Sequence, residues 1–145
     1  MSKARTLKTK YAISVLKRTD AISVKAFAQK YGLSVITVLK LVALSGVERV
    51  KVGRVTIIGA HVNEVLSELA REIYESIKSV VLSTCKSKCC SMHAPNVYNI
   101  LDVRVLNKLK KLGLSTHASS LTPFIRELLK QHVSYENGRL RVCRS

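Results

Sequence analysis

Acidic side chains are scarce in this chain. Nine Asp and Glu stand against 25 Lys and Arg, a net charge of +16 over 145 residues. Solubility alone asks for a net charge of only about 2–8, so the imbalance implies a polyanionic partner, nucleic acid before an anionic membrane surface. Long apolar runs are missing too: none approaches the ~18 residues of a transmembrane span, and membrane is set aside as a partner. The basic start MSKARTLKTK leads into YAISVLKRTD, which has no continuous apolar stretch, so no secretory signal is expected. There is no Gly-rich phosphate loop, no G-x-S-x-G and no HExxH. His61, His93, His117 and His132 have no evident nucleophile or base partner. An enzyme is therefore not expected, nor a cofactor. Aromatics number seven, with no tryptophan. They fall mostly on apolar faces and none lies on an RNP-like strand, which argues against single-strand stacking.

What is present is enough to fold. Hydrophobic residues make up 47% of the chain, which excludes general disorder and suits one domain or two small ones. Charge is divided unevenly. Residues 1–59 carry twelve basic side chains against Asp20 and Glu48, residues 60–81 are net −2, and residues 82–145 carry eleven basic against Asp102, Glu127 and Glu136. Two basic blocks thus flank an acidic segment.

The most informative stretch is VKAFAQKYGLSVITVLKLVA, from Val24 to Ala43. It reads as a helix from Val24 to Tyr31 capped by Ser23, a turn at Gly32-Leu33, and a helix from Ser34 to Leu44 capped by Ser34 and closed by Gly46. Ala28 is small where two helices approach, and Gly32 supplies the left-handed backbone. Phe27, Tyr31, Leu33, Val38 and Leu41 have the spacing of two buried inner faces. A first helix from Thr6 to about Arg18 precedes them behind a mobile basic tail, with Tyr11, Ile13, Val15 and Leu16 as its apolar members. After them the period changes to two. Val50, Val52, Val55 and Ile57 alternate with Arg49, Lys51, Arg54 and Thr56 around Gly53, a hairpin with one apolar and one basic face.

The alanine, the glycine four positions later and the apolar inner positions resemble the helix-turn-helix of DNA-binding proteins. With three helices followed by a basic hairpin, residues 6–58 resemble a winged helix. That resemblance implies a second helix of the motif entering the major groove, with Ser34, Val35, Ile36, Leu39, Lys40 and Ala43 outward. Of these, only Ser34, Lys40 and neighbouring Thr37 can hydrogen-bond DNA. Arg, Asn and Gln, the usual base readers, are missing. Two readings stay open. Lys25, Ser34, Thr37 and Lys40 with the wing residues Arg49, Lys51 and Arg54 hold DNA mainly by phosphate, or Val35, Ile36 and Leu39 form an apolar patch that docks on protein.

From Ala60 to Ser83 a long helix is expected. Val62, Leu66, Leu69, Ile73, Ile77 and Val80 recur every three or four residues beside a stripe of Glu64, Glu68, Glu72 and Glu75. The seam is close to a coiled-coil repeat and predicts a homodimer, against the alternative of a connecting helix in one body. Wing followed by long helix is similar to small archaeal winged-helix chromatin proteins that dimerise through that helix, over residues 6–83.

Cys85, Cys89, Cys90 and His93 offer a Cys₃His donor set acceptable to zinc, but without the C-x₂-C pairs of zinc knuckles. Free thiols, a metal, and a disulfide (to Cys143 or between subunits) all stay open, with thiols preferred. Pro95 marks a break. A helix then runs from Asn96 to Lys111 and ends at Gly113, residues 115–121 form a loop, Thr122-Pro123 begins a helix to Gln131, and a hairpin turns at Asn137-Gly138 with Leu140 and Val142 inward and Arg139, Arg141 and Cys143 outward. Both halves thus end in a helix and a Gly-Arg hairpin, so a second, degenerate winged helix is one reading of the C-terminal half.

The fold class expected is mainly α with small β-hairpins (α+β): a winged helix-turn-helix at 1–59, a connecting or dimerisation helix at 60–84, and a helical domain with a hairpin at 96–145. The function expected is double-stranded DNA binding, as a transcription regulator or chromatin-like architectural protein in the cytoplasm, associated with the nucleoid. Arg139 and Arg141 join the DNA-binding set. The alternatives are a winged-helix adaptor within a larger nucleic-acid-processing complex and a basic protein of a mobile element.

Overall fold

A computed structural model describes residues 2–93, 97–115 and 118–144, with backbone alone for 2–8 and 118–120. The chain forms two compact units: residues through Val65 with Lys111–Leu114, and Leu66–Lys110 with residues from Ser115 onward.

In the first unit the element order is α1 (Ser2–Arg18), β1 (Ile22–Ser23), α2 (Val24–Tyr31), α3 (Val35–Ser45), β2 (Glu48–Val52) and β3 (Val55–Gly59). Local chemistry sets the ends of α2 and α3. The Ser23 hydroxyl accepts from the Ala26 N–H and the Ser34 hydroxyl from the Thr37 N–H, satisfying amides that have no partner inside the helix. Gly32 and Gly46 close the two helices in the left-handed region, at φ 64° and 72°. The axes of α2 and α3 cross at 106°, within the range of a helix-turn-helix. The core is built from Ala12, Leu16, Val24, Phe27, Ala28, Val38, Leu41, Val42 and Ile58.

The sequence-based hairpin is one strand short. β3 pairs on one side with β2 and on the other with β1, Ile22 opposite Ile58, giving an antiparallel sheet in the order β1-β3-β2. Both Ile57 and Ile58 are fully buried, so β3 is covered on both faces. Three helices thus precede the β2–β3 hairpin, as the sequence pattern predicts, and β1 adds a third strand to it. α1 also departs from expectation. It begins at Ser2, so the expected tail is helical. Ala12 and Leu16, one turn apart, are its buried members among residues 9–18, while Tyr11 lies 59% exposed in an edge-on contact with Tyr31.

α4 (Val62–Thr84) leaves the first unit. Its N-terminal amides are met by Glu48, whose carboxylate accepts from the Asn63 backbone N–H at 2.8 Å and side-chain N–H at 3.1 Å. The dimer seam is not available. Val62, Leu66, Leu69, Ile73 and Ile77 are each at most 5% exposed within their own chain, because this helix supplies core to the units that share it. Val80, the sixth seam residue, is 42% exposed, and Val81 is buried in its place.

The second unit continues with β4 (Cys89–His93), α5 (Val97–Ile100), α6 (Val103–Lys111), α7 (Ala118–Leu128), β5 (Ser134–Glu136) and β6 (Arg139–Cys143). Its sheet is antiparallel in the order β4-β6-β5. With α4 in the place of α1, helix, strand, helices, strand, strand and sheet order all repeat the first unit. Several boundaries differ from those expected. The expected single helix from Asn96 is two, α5 and α6, because Asp102 caps α6 by accepting from the Val105 N–H at 2.9 Å. Pro95 and Asn96 themselves lie outside the described residues, as do Thr116 and His117 of the expected loop. α7 begins at Ala118, before Thr122-Pro123, and Pro123 sits inside it. The terminal hairpin is as expected: Asn137 and Gly138 both take positive φ, as a type I′ turn requires, and Leu140 and Val142 are buried. Domain limits shift accordingly. The division falls inside α4 and not at its ends, and residues 111–114 belong to the first unit.

Cysteine chemistry is the clearest correction. Cys85 is bonded to Cys90, and Cys89 to Cys143 directly across the β4–β6 ladder. No free cysteine is found among the described residues. The Cys₃His set is therefore closed: its three sulfurs are spent on disulfides, and His93 is an exposed strand end. Adjacent Cys89 and Cys90 reach different partners because neighbours on a strand face opposite sides.

Candidate nucleic-acid interface

The first unit carries many cations and few acids. Lys25 on α2, Lys40 on α3, Arg49 and Lys51 on β2 and Arg54 in the β2–β3 turn are all exposed. Among the described residues none of the five is in an ion pair. The strand pattern explains the basic hairpin. Arg49 and Lys51 alternate with the half-buried Val50 and buried Val52, so the pleat that packs the valines turns both cations outward. One of the two acids in this basic block, Glu48, is held at the start of α4. These five cations thus carry their charge without a carboxylate partner among the described residues.

The outward face of α3 is poorer in polar groups than its residue types suggest. Ser34 Oγ, besides accepting from the Thr37 amide, lies 2.8 Å from Thr37 Oγ1, so the two hydroxyls bond each other. Lys40 is the cation that remains. Val35 and Ile36, in the first turn, are 46% and 68% exposed. Leu39 does not join them: it is half-buried and packs on the core. The apolar patch expected from Val35, Ile36 and Leu39 therefore shrinks to two side chains. Leu44, 75% exposed at the far end of α3, is a further apolar side chain on the surface.

In the second unit Arg139 and Arg141 are exposed on β6. Arg139 lies along its own sheet, donating from Nε to Ser91 Oγ at 3.2 Å and from Nη2 to the Ser91 carbonyl at 3.4 Å. On α7 the Arg126 guanidinium stands 5.2 Å from the Tyr135 ring centre. Burial pushes the Tyr135 phenol up to about 12, and the nearby Arg126 charge opposes that rise. A cleft of about 360 Å³ is lined by Arg71, Arg104 and Lys108 and by Glu72, Glu75 and Asp102. Lys108 bonds Glu72, and Arg104 pairs with Asp102 at 3.8 Å, so this cleft largely neutralises itself. Arg144, counted with the basic block, is structural: its guanidinium donates to the carbonyls of Leu82, Cys85 and Ser87 at the end of α4. The second unit's cations are thus more committed than those of the first.

No family model matches the chain, and no curated protein matches it. Among solved structures, the crystal structure of a hypothetical protein from Pyrobaculum spherical virus is similar, with a TM-score of 0.67 at 15% identity, covering 99% of this chain and 97% of that one. The likeness is one of fold. No described helix is long and apolar enough to cross a membrane.

Proposed function

We propose that the chain binds double-stranded DNA through its first unit, as a transcription regulator or architectural protein. The observation that carries this reading is the set of five exposed, acid-free cations, Lys25, Lys40, Arg49, Lys51 and Arg54, on a helix-turn-helix and its wing. Cations on a flexible stem bind phosphates regardless of sequence. Each phosphate neutralised releases counterions, so affinity falls steeply with salt. With no Arg, Asn or Gln on α3, phosphate contacts are the main source of affinity in this reading. The activity is binding, not catalysis.

The test is fluorescence anisotropy with a duplex of about three helical turns across a salt series. The Arg49→Ala, Lys51→Ala, Arg54→Ala triple variant is expected to bind more weakly and to flatten the log–log salt slope by up to about three, near 0.9 per lost phosphate contact. These side chains are exposed, so folding is preserved. An unchanged slope would remove the wing from the interface. The adaptor reading is favoured by one observation, the exposure of Val35 and Ile36. It would be taken up if wild-type protein bound no duplex at low salt.

A further inference from the structure

Val35 and Ile36 are left over from the phosphate account, since apolar side chains gain nothing against phosphates. We propose that they read the C5-methyl groups of thymine in the major groove and so give the protein a preference for A·T-containing duplex. This rests on the DNA-binding reading above.

Four observations converge on it. The two residues occupy the first turn of α3, and in helix-turn-helix docking the N-terminal residues of the second helix meet the base edges. Both are exposed in the free protein, and both are β-branched, so in a helix each holds one main rotamer and loses little entropy on contact. The hydroxyls beside them, Ser34 and Thr37, bond each other, which leaves one O–H between them to donate and makes the apolar pair the larger contact surface at this end of the helix. Finally, Lys25, Lys40 and the wing cations have no acid partner among the described residues. Lys40 follows Ile36 by one helical turn, which sets a cation beside the pair for a polyanion to meet. The major groove presents one apolar feature to such a surface, the thymine methyl.

The patch also has the wrong size for the competing occupant. With Leu39 turned into the core, two side chains remain. A stable protein interface buries about 800 Å² on each partner, whereas two side chains match one or two methyl groups.

The experiment uses the full chain and three duplexes of equal length: one rich in A·T, the same sequence with deoxyuridine in place of every thymidine, and one rich in G·C. Deoxyuridine keeps the base pair and every phosphate and removes only the methyl. Thymine duplex is expected to bind more tightly than its deoxyuridine twin by about fourfold per methyl buried, with the same salt slope on all three. In the Val35→Ala, Ile36→Ala double variant the difference between the twins is expected to vanish while the salt slope stays. Alanine is the better helix former and both sites are exposed, so the variant folds. Equal wild-type affinity for thymine and deoxyuridine duplexes, or a difference that survives in the double variant, would overturn the assignment while leaving DNA binding intact. No binding to any duplex at low salt would overturn the DNA reading itself.

Discussion

Gly113 shows how much a single residue can carry. It holds φ +82°, and a Cβ added there would lie 2.1 Å from the Ala26 Cβ. The neighbouring Leu112 carbonyl accepts from the Ser23 N–H at 2.7 Å, so the chain at 111–114 lies against the start of α2 within the first unit. Gly32, at φ +64°, has no other atom within 4 Å of its would-be Cβ. The two glycines separate two costs. Gly32→Ala is expected to lose about 1 kcal/mol from the left-handed backbone, whereas Gly113→Ala adds a steric overlap and is expected to lose about 3 kcal/mol. Urea unfolding checks the difference, and equal losses would show that the close approach relaxes freely. The same contrast measures what the sequence could say. Ser23, Gly32, Ser34 and Gly46 were legible because each acts within a few residues of itself. Gly113 read only as a helix end, since its second role depends on Ala26, which is remote in sequence. Leu39 was misplaced for a related reason: helical spacing orders residues around an axis, but neighbours decide how wide the buried arc is.

At the level of elements, the second unit is held by chemistry that its sequence pattern hides. β4, CCSMH, has no Val, Ile, Thr or aromatic residue and so lacks any strand signature. It becomes a strand through pairing with β6, Cys90 opposite Val142 and Met92 opposite Leu140. The Cys89–Cys143 bond then closes a loop of sequence separation 54 around α5, α6 and α7. In the chain-entropy account, a bond closing a loop of that length removes about 4 kcal/mol of freedom from the unfolded state. Arg144, next to Cys143, reaches the carbonyls that end α4, which has no basic residue in its own last turn. A thiol reductant is therefore expected to lower the thermal midpoint of the second unit, followed by circular dichroism. Unfolding identical with and without reductant would show that the ladder holds without the bond. The DNA binding proposed for the first unit is expected to persist in reductant, because all four cysteines lie outside that unit. The hairpin at Asn137-Gly138 was legible where β4 was not, because its turn requires two positive φ values that few residue pairs supply. The α5–α6 break was hidden by a continuous apolar period, against which the lone cap Asp102 was outvoted.

For the whole molecule, the repeated order of helix, strand, helices and hairpin turns the question of oligomeric state on α4. Sequence periodicity showed an apolar seam and could not show what covers it, since a coiled coil and a core helix bury the same spacing. Val62 belongs to one unit, Leu66 to Ile77 to the other, and all five seam residues in that span are buried in their own chain. A second copy would have to displace a formed core to use them. Burying an aspartate at such a position strands a charge away from water, which costs far more than a surface change. Light scattering is therefore expected to give the monomer mass of 16.1 kDa, and Ile73→Asp is expected to lose the cooperative unfolding of the second unit. The outcome that would restore the coiled-coil reading is specific: wild-type protein at twice that mass, with Ile73→Asp a well-folded monomer. Twice the mass with Ile73→Asp unfolded would instead place the contact on another surface. The exposed Leu44 and Val80 are where a substitution to lysine would then look for it.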